Sequence, residues 1–554
     1  MSLSRRSFLQ AGMAAAAGAA AGMGSRVAHA EPAALLASNP TGTTLDVVST
    51  PGMAQAGGYR PLVAGSGWPL YIRQELATAG PAREMARTAL AAFVQVTDLH
   101  LTDAQSPARF EFVHPFISSA YRPHETLTTQ GAVSLVKQLN ALPGGPFTGR
   151  PFDCLVSTGD NTDNKELIEL DWFLTVMSGG SIIPNTGAPD RYEGVQAHGS
   201  SDYWLAESPY WDSYKGKGFQ QIPGFLSAAI SAHVSPGLRM PWYSVVGNHD
   251  EQLLGTVPNG LLDWMYTSPI KFDLPHSDPS AIAIAKALCA DPSQLVPILL
   301  QLKSGGPFLP ATVDQRRMPF TLSQYVRRHF EPAITGPGPV GHGFTDPDGP
   351  TWYTFQVAPG VLGVAMNTTN DLGLSAGSIN ESQLRFVLEQ IDVHRDQLVI
   401  LFSHHTSRTM NVGLPDPNHP GEKLYTGASL VAALLERPNV IAWVNGHTHT
   451  NEMIPHKGPT PKQSFWEINT ASHIDYPQLA RIIEVTDNHD GTLSLFTPLV
   501  EAQAPFTADP SDLSPTGLAS LYRELSYNDL HRKDARLGAV ADRNCELLLA
   551  HPLH

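Results

Sequence analysis

The sharpest chemical motif in the chain is Gly446-His447-Thr448-His449, two histidines spaced i, i+2 behind a glycine at the end of an apolar run. Imidazole is the commonest neutral metal ligand, and glycine lets the chain turn tightly at that point. Four more apolar runs end in the same way. Residues 93–97 run into Asp98-Leu99-His100, and 153–158 into Gly159-Asp160-Asn161. Residues 242–246 run into Gly247-Asn248-His249-Asp250, and 398–402 into Ser403-His404-His405. Carboxylate, amide and imidazole donors without a thiolate suit Mn, Fe, Zn or Co and do not choose among them. The chemistry open to such a set is Lewis-acid polarisation and the activation of water near neutral pH.

Near-continuous apolar runs of this length predict buried strands, and in α/β proteins ligands gather beyond the carboxyl ends of such strands. Five strand ends with metal-type side chains therefore imply one polynuclear metal site. Helices are predicted at 124–139, 165–177, 279–302, 322–329, 380–393 and 427–437 from periodicity and caps. Residues 351–357 and 361–368 read as a hairpin. Residues 465–469, 479–485 and 492–497 read as strands of a second sheet, and 514–548 as two C-terminal helices.

The ordered set DxH, GD, GNHD, H and GHxH over residues 93–449 resembles the calcineurin-like metallophosphoesterase superfamily. That resemblance implies an α/β (α+β) fold, a four-layer αββα sandwich of two mixed β-sheets flanked by helices, here with long insertions and C-terminal helices. It implies two divalent or trivalent metal ions, with Asp98 and His100 on the first, Asn248 on the second, and Asp160 bridging both. It assigns His447 to the second metal and His449 to the first. His404 or His405 supplies the next ligand to the second metal; the resemblance favours His404 and leaves His405 beside the substrate. A proline often follows this pair, and Thr406 stands there instead. His249 is expected to stabilise or protonate the leaving oxygen, with Asp250 orienting it by a hydrogen bond.

The implied activity is hydrolysis of phosphomonoester or phosphodiester bonds by direct attack of metal-bound hydroxide, on a small-molecule phosphoester. Another phosphorus bond, in a pyrophosphate or a phospholipid head group, is the alternative, followed by a non-catalytic cell-surface binding protein on the same fold. Purple acid phosphatases, a neighbouring subfamily, carry a tyrosine three residues after the bridging aspartate and DxG in the first motif. Asp163 and His100 stand here instead, which sets that subfamily aside. Arg109 and Arg122, in the loop after the first motif, are expected to reach a substrate phosphate as fork-like donors, against the commoner fate of a structural ion pair.

Around this core, residues 1–30 read as a twin-arginine signal: Ser4-Arg5-Arg6-Ser7-Phe8-Leu9-Gln10, an alanine-rich stretch, then Ala28-His29-Ala30. Export to the periplasm or beyond is the expectation, with no later stretch approaching the ~18 apolar residues of a membrane span. Residues 31–91 read as an irregular segment, 92–500 as the catalytic domain with insertions at about 179–240 and 251–350, and 501–554 as a helical extension. The three cysteines are too few for a disulfide framework. A net charge of −15 argues against nucleic acid as the main partner, while bound cations can still attract a phosphate. Substrate identity and oligomeric state have no readable code.

Overall fold

The computed structural model describes residues 39–78, 80–81 and 83–554; the twin-arginine reading falls outside them. Two large sheets form the body. Their strands, numbered along the chain, are β1 (Leu70–Arg73), β2 (Thr88–Val96), β3 (Cys154–Ser157), β4 (Trp242–Ser244), β5 (Tyr353–Ala358), β6 (Val361–Ala365) and β7 (Leu398–Phe402). They continue with β8 (Val440–Asn445), β9 (Glu452–His456), β10 (Phe465–Asn469), β11 (Leu479–Asp487), β12 (Thr492–Phe496), β13 (Leu499–Glu501) and β14 (Asn544–Ala550). One sheet has the order β1-β14-β12-β11-β2-β3-β4, with β13 also on β11; the other has the order β5-β6-β7-β8-β10-β9.

Both sheets are mixed. β2, β3 and β4 are parallel neighbours, and so are β6, β7, β8 and β10. The five motif-bearing strands thus point the same way within each sheet, and a parallel strand buried on both faces must be apolar throughout. The sheets pack face to face through Phe93 and Phe402, edge to face at 5.6 Å, and through Tyr243 stacked on Phe355 at 3.9 Å. Polar stitches cross this interior: Gln95 Nε2 of β2 donates to the Asn445 carbonyl of β8 at 2.8 Å, Tyr353 Oη of β5 to the Ser244 carbonyl of β4 at 2.8 Å, and Trp466 Nε1 of β10 to the Leu548 carbonyl of β14 at 3.0 Å.

Helices close the outer faces. α1 (Thr128–Ala141) and α2 (Leu167–Ser178) bury Val133, Val136, Leu139, Leu170 and Phe173 on the first sheet. α3 (Glu381–Val393) and α4 (Gly427–Leu434) bury Val387, Ile391, Leu430 and Leu434 on the second. The Asn380 side chain caps α3 by accepting from Gln383 N at 2.9 Å, a bond that fixes where the helix begins. The four-layer αββα architecture is as expected.

Several details differ from the sequence reading. The segment before β2 is not simply irregular: Val47–Pro51 and Leu62–Ser66 pair antiparallel, and β1 joins the sheet. Residues 279–302 form two helices, Pro279–Ala290 and Leu295–Lys303, because Asp291-Pro292 interrupts them. Only one C-terminal helix follows, α5 (Pro515–Asn528). Its expected partner is instead β14, inserted between β1 and β12. β10 belongs to the sheet of β7 and β8, whereas β11 and β12 belong to the other. In the first insertion Tyr203 and Trp204 are buried and Tyr210 and Trp211 are exposed. Among the described residues no helix is long and apolar enough to cross a membrane.

Candidate metal centre

The carboxyl ends of β2, β3, β4, β7 and β8 meet at one edge, where the backbone turns under strain. Asp98, His100, Asp160, His447 and His449 all adopt positive φ, between 43° and 69°. Aspartate and histidine tolerate this region better than most residues, yet each such conformation costs of order 1–3 kcal/mol and persists only where its surroundings fix it. The fixing bonds are visible. Asp98 N donates to Gly159 O at 3.0 Å and His100 N to Asp160 O at 2.9 Å, while Gly446 N reaches His404 O at 3.0 Å. Asp160 Oδ1 accepts from His249 N at 2.8 Å, and Asp98 Oδ2 from Thr97 Oγ1 at 2.6 Å and His447 N at 3.1 Å.

Glycine is required here for close approach. A Cβ on Gly446 would strike Thr97 and Asp98, and one on Gly247 would strike Asp160. Gly446 has no positive φ, so its role differs from the tight turn expected of it.

Seven side chains converge. His449 Nε2 is 3.1 Å from Asp98 Oδ1, and His100 Nε2 is 3.5 Å from Asp160 Oδ2 and 3.9 Å from Asp98 Oδ1. His404 Nε2 is 2.9 Å from Asn248 Oδ1, 3.2 Å from the same Asp160 Oδ2 and 3.2 Å from His447 Nδ1. Asp160 Oδ2 therefore lies between a donor group of Asp98, His100 and His449 and a second group of Asn248, His404 and His447.

The far side of each ring decides what the near side offers. His404 Nδ1 meets the Thr158 carbonyl at 2.9 Å, His100 Nδ1 the Asp163 carboxylate at 2.9 Å, and His449 Nδ1 the Asp475 carboxylate at 2.6 Å. An acceptor opposite Nδ1 places the proton there and leaves Nε2 as a bare lone pair. The Asn248 amide is turned by Nδ2, which donates to Gly255 O at 3.1 Å, so its oxygen also faces inward. Lone pairs thus point at lone pairs in a buried space. Asp98 Oδ1 and His100 Nε2 have no hydrogen-bond partner at all, and buried polar atoms left so are costly. A cation removes that cost, and the donor set fits one on each side of Asp160.

Where no cation is present, a proton on His404 takes part of its place: burial disfavours charge on this ring, but Asp160 and Asp98 outweigh it and lift its pKa to about 9. Burial and the neighbouring His404 push His447 down to about 3. Burial also works against the Asp98 charge, yet His449 and His404 hold its pKa below the usual carboxylate range.

The remaining expected residues fall differently. His249 faces the open side, its ring 4.5 Å from His100 and its Nδ1 2.8 Å from the Asp163 carbonyl. Asp250 does not orient His249. It accepts from Asn161 N at 3.1 Å, Thr162 N at 2.9 Å and Gly247 N at 2.9 Å, tying the ends of β3 and β4 together. Arg109 and Arg122 do not face a substrate. Arg109 is buried against Asp163, Asn164 and Glu125, and Arg122 holds Asp475 at 2.8 Å. Buried guanidinium groups must be paired, which selects the ion-pair fate. His405 is likewise buried, with Nδ1 2.9 Å from Thr368 Oγ1 and its ring 4.5 Å from His447. Its Nε2 has no hydrogen-bond partner, and a ring nitrogen of His405 lies within 4.8 Å of those of His404 and His447, so both histidines of the pair border the second donor group.

Two carboxylates escaped the sequence reading. Asp163 was singled out only as standing where a tyrosine is absent, and Asp475 not at all. They back His100 and His449, and basic side chains hold both well below the ordinary carboxylate pKa against the opposing effect of burial: Arg109 for Asp163, and Arg122 with Arg536 for Asp475.

No family model matches the chain, and no curated protein matches it. Among solved structures it is similar to a dimetal phosphatase from Danio rerio, at 10% identity over 75% of this chain and 100% of that one, TM-score 0.33. It is also similar to purple acid phosphatase PPD1 from yellow lupin (Lupinus luteus) seeds, at 8% identity over 82% and 56%, TM-score 0.29. A third is GAP50, the anchor in the inner membrane complex of Plasmodium, at 10% identity over 82% and 98%, TM-score 0.25. Likenesses of this extent carry no argument about activity, which is read from the donor set.

Proposed function

We propose that the protein is a dinuclear-metal-dependent phosphoesterase acting on phosphomonoester or phosphodiester bonds. The observation that carries this reading is the convergence of inward-facing acceptors on both sides of Asp160 Oδ2. Asp98, His100, Asp160 and His449 would hold one ion, and Asp160, Asn248, His404 and His447 the other. Two bound cations supply Lewis acidity at phosphorus, neutralise developing charge and make water a nucleophile near neutral pH.

The chain's own groups do the rest. Asp163, Asp475 and the Thr158 carbonyl fix three ring orientations before substrate arrives. Asp250 holds the β3 and β4 ends in register, so Asp160 and Asn248 keep their separation. The Asp163 carbonyl accepts a hydrogen bond from His249 Nδ1–H, which turns Nε2 to the open side; the protonated ring would give its Nε2 proton to the leaving oxygen and the neutral ring would take one back from water. The purple subfamily is set aside on the same grounds as above, Asp163 in place of a tyrosine. The twin-arginine motif at residues 4–10 supports an exported enzyme.

The test is product analysis with a nitrophenyl monoester, a bis-nitrophenyl diester, a pyrophosphate and a phospholipid, for the wild type beside Asn248→Ala. Turnover of an ester, lost in the variant, is expected. Turnover of the pyrophosphate or phospholipid alone would move the activity to another phosphorus bond. Metal-loaded protein inert on all four would contradict an esterase.

A further inference from the structure

The C-terminal segment reaches the metal centre. After α5 the chain makes a short turn, Asp534–Leu537, that packs on the residues just past His449. Asn451 N donates to Arg536 O at 3.1 Å, and Asn451 Nδ2 to Leu537 O at 3.3 Å. From this turn Arg536 Nη1 reaches Asp475 Oδ2 at 2.6 Å. That oxygen is the one His449 Nδ1 meets at 2.6 Å. Arg122 grips the carboxylate as a fork, with Nε 2.8 Å from Oδ1 and Nη2 3.3 Å from Oδ2.

We propose that Arg536 is a positioning residue for His449, acting through Asp475 to aim Nε2 at Asp98 Oδ1. This rests on the proposed function, since it assigns His449 to a metal. A carboxylate held from one side can still pivot about its Cβ–Cγ bond. Arg122 holds Oδ1 closely and Oδ2 only at 3.3 Å, so the short Arg536 contact is what pins Oδ2, the acceptor that the His449 ring follows. Partners behind a ligating histidine typically change metal affinity 10–100-fold when removed. The first metal site thus depends on a residue from the chain after residue 500, outside the 92–500 domain. Arg536 also borders a polar cleft with Ser119, Asp529 and His531. Water can therefore replace its head group in Arg536→Gln without leaving a buried void.

The experiment uses full-length mature protein in a His447→Asn background, which leaves the first site's side chains intact, with Mn²⁺ or Zn²⁺ affinity measured by competition with a chelating dye. Arg536→Gln should weaken binding roughly tenfold and Asp475→Asn by 10–100-fold. Arg536→Lys should recover part of the loss, because a lysine supplies one point charge without the fork. In a His449→Gln background, Arg536→Gln should add no further loss. An affinity unchanged within twofold in Arg536→Gln, or an equal loss when His449 is absent, would overturn the assignment. If the protein with both sites intact takes up no ion, the proposed function fails, and this inference with it.

Discussion

Arg109 and Arg122 are cations held out of water, and each is answered by carboxylates that in turn hold a histidine of the centre. Arg109 supports Asp163 behind His100, and Arg122 supports Asp475 behind His449. Glu125 Oε2 joins the two clamps by accepting from Arg109 Nη2 at 2.8 Å and Arg122 N at 3.0 Å. Removing one partner of a buried pair strands the other, at a cost of about 3–5 kcal/mol. Arg109→Met should therefore lower the unfolding free energy from denaturant titration by an amount in that range, while the KM of the folded fraction changes little. Full stability with a raised KM would restore the substrate-binding role. The sequence could show that these arginines lie near the first motif but not what neutralises them. Asp475 is 26 residues from His449, and only the packing of distant strands brings them together.

At the scale of elements, the strand ends were the most legible part. A parallel strand buried on both faces has no choice but a continuous apolar run, and the run's abrupt end marks the edge of the sheet. Helix bounds were legible where a capping residue stood, as at Asn380. β14 was not, because its leucine run carries helix propensity and no strand alternation; burial between two strands overrides that preference. The junction glycines allow a direct trial. Gly446→Ala puts a Cβ against Thr97 and Asp98, and since misplacement by about 1 Å can cost 10²-fold in rate, kcat should fall by at least that much. An active Gly446→Ala enzyme would show that the junction tolerates more slack than its packing indicates.

β4 carries a second, pH-linked prediction. Trp242 stacks on His342 at 3.5 Å, with His329 close by. Burial, helped for His329 by its neighbour His342, pushes their pKa values down to about 3 for His329 and about 4 for His342. Both are neutral in the fold and titrate near 6.5 when unfolded. Between about pH 4 and 6.5 the unfolded chain binds more protons, so stability rises with pH and is lost as pH falls. Each group contributes a slope of up to about 1.4 kcal/mol per pH unit. His329→Gln should flatten the dependence of the unfolding free energy on pH by about that amount; an unchanged slope would mean His329 is charged in the native state.

For the whole molecule, the chain after residue 500 is structural and not an appendage. β14 completes the first sheet, with Cys545, Leu547 and Leu549 fully buried, and α5 packs on α1, where Tyr522 meets Gly131. Truncation before Asn544 should abolish cooperative unfolding and leave insoluble protein. A soluble, cooperatively folding 39–543 fragment would contradict that role. The centre thus draws support from the early strands, from Gly255 at the start of the second insertion and from the C-terminal turn that carries Arg536, which is why five short motifs outline it while its supporting shell stays hidden in the linear order.

The central claim is that two cations share Asp160. The most direct measurement is elemental analysis of the purified protein beside Asp160→Ala, with anomalous scattering to locate the ions. Two ions per chain about 3.5–4 Å apart on either side of Asp160, with at least one lost in the variant, are the predicted result. Metal-free wild-type protein that takes up no ion when supplied with Mn²⁺, Fe²⁺, Zn²⁺ or Co²⁺ would contradict it.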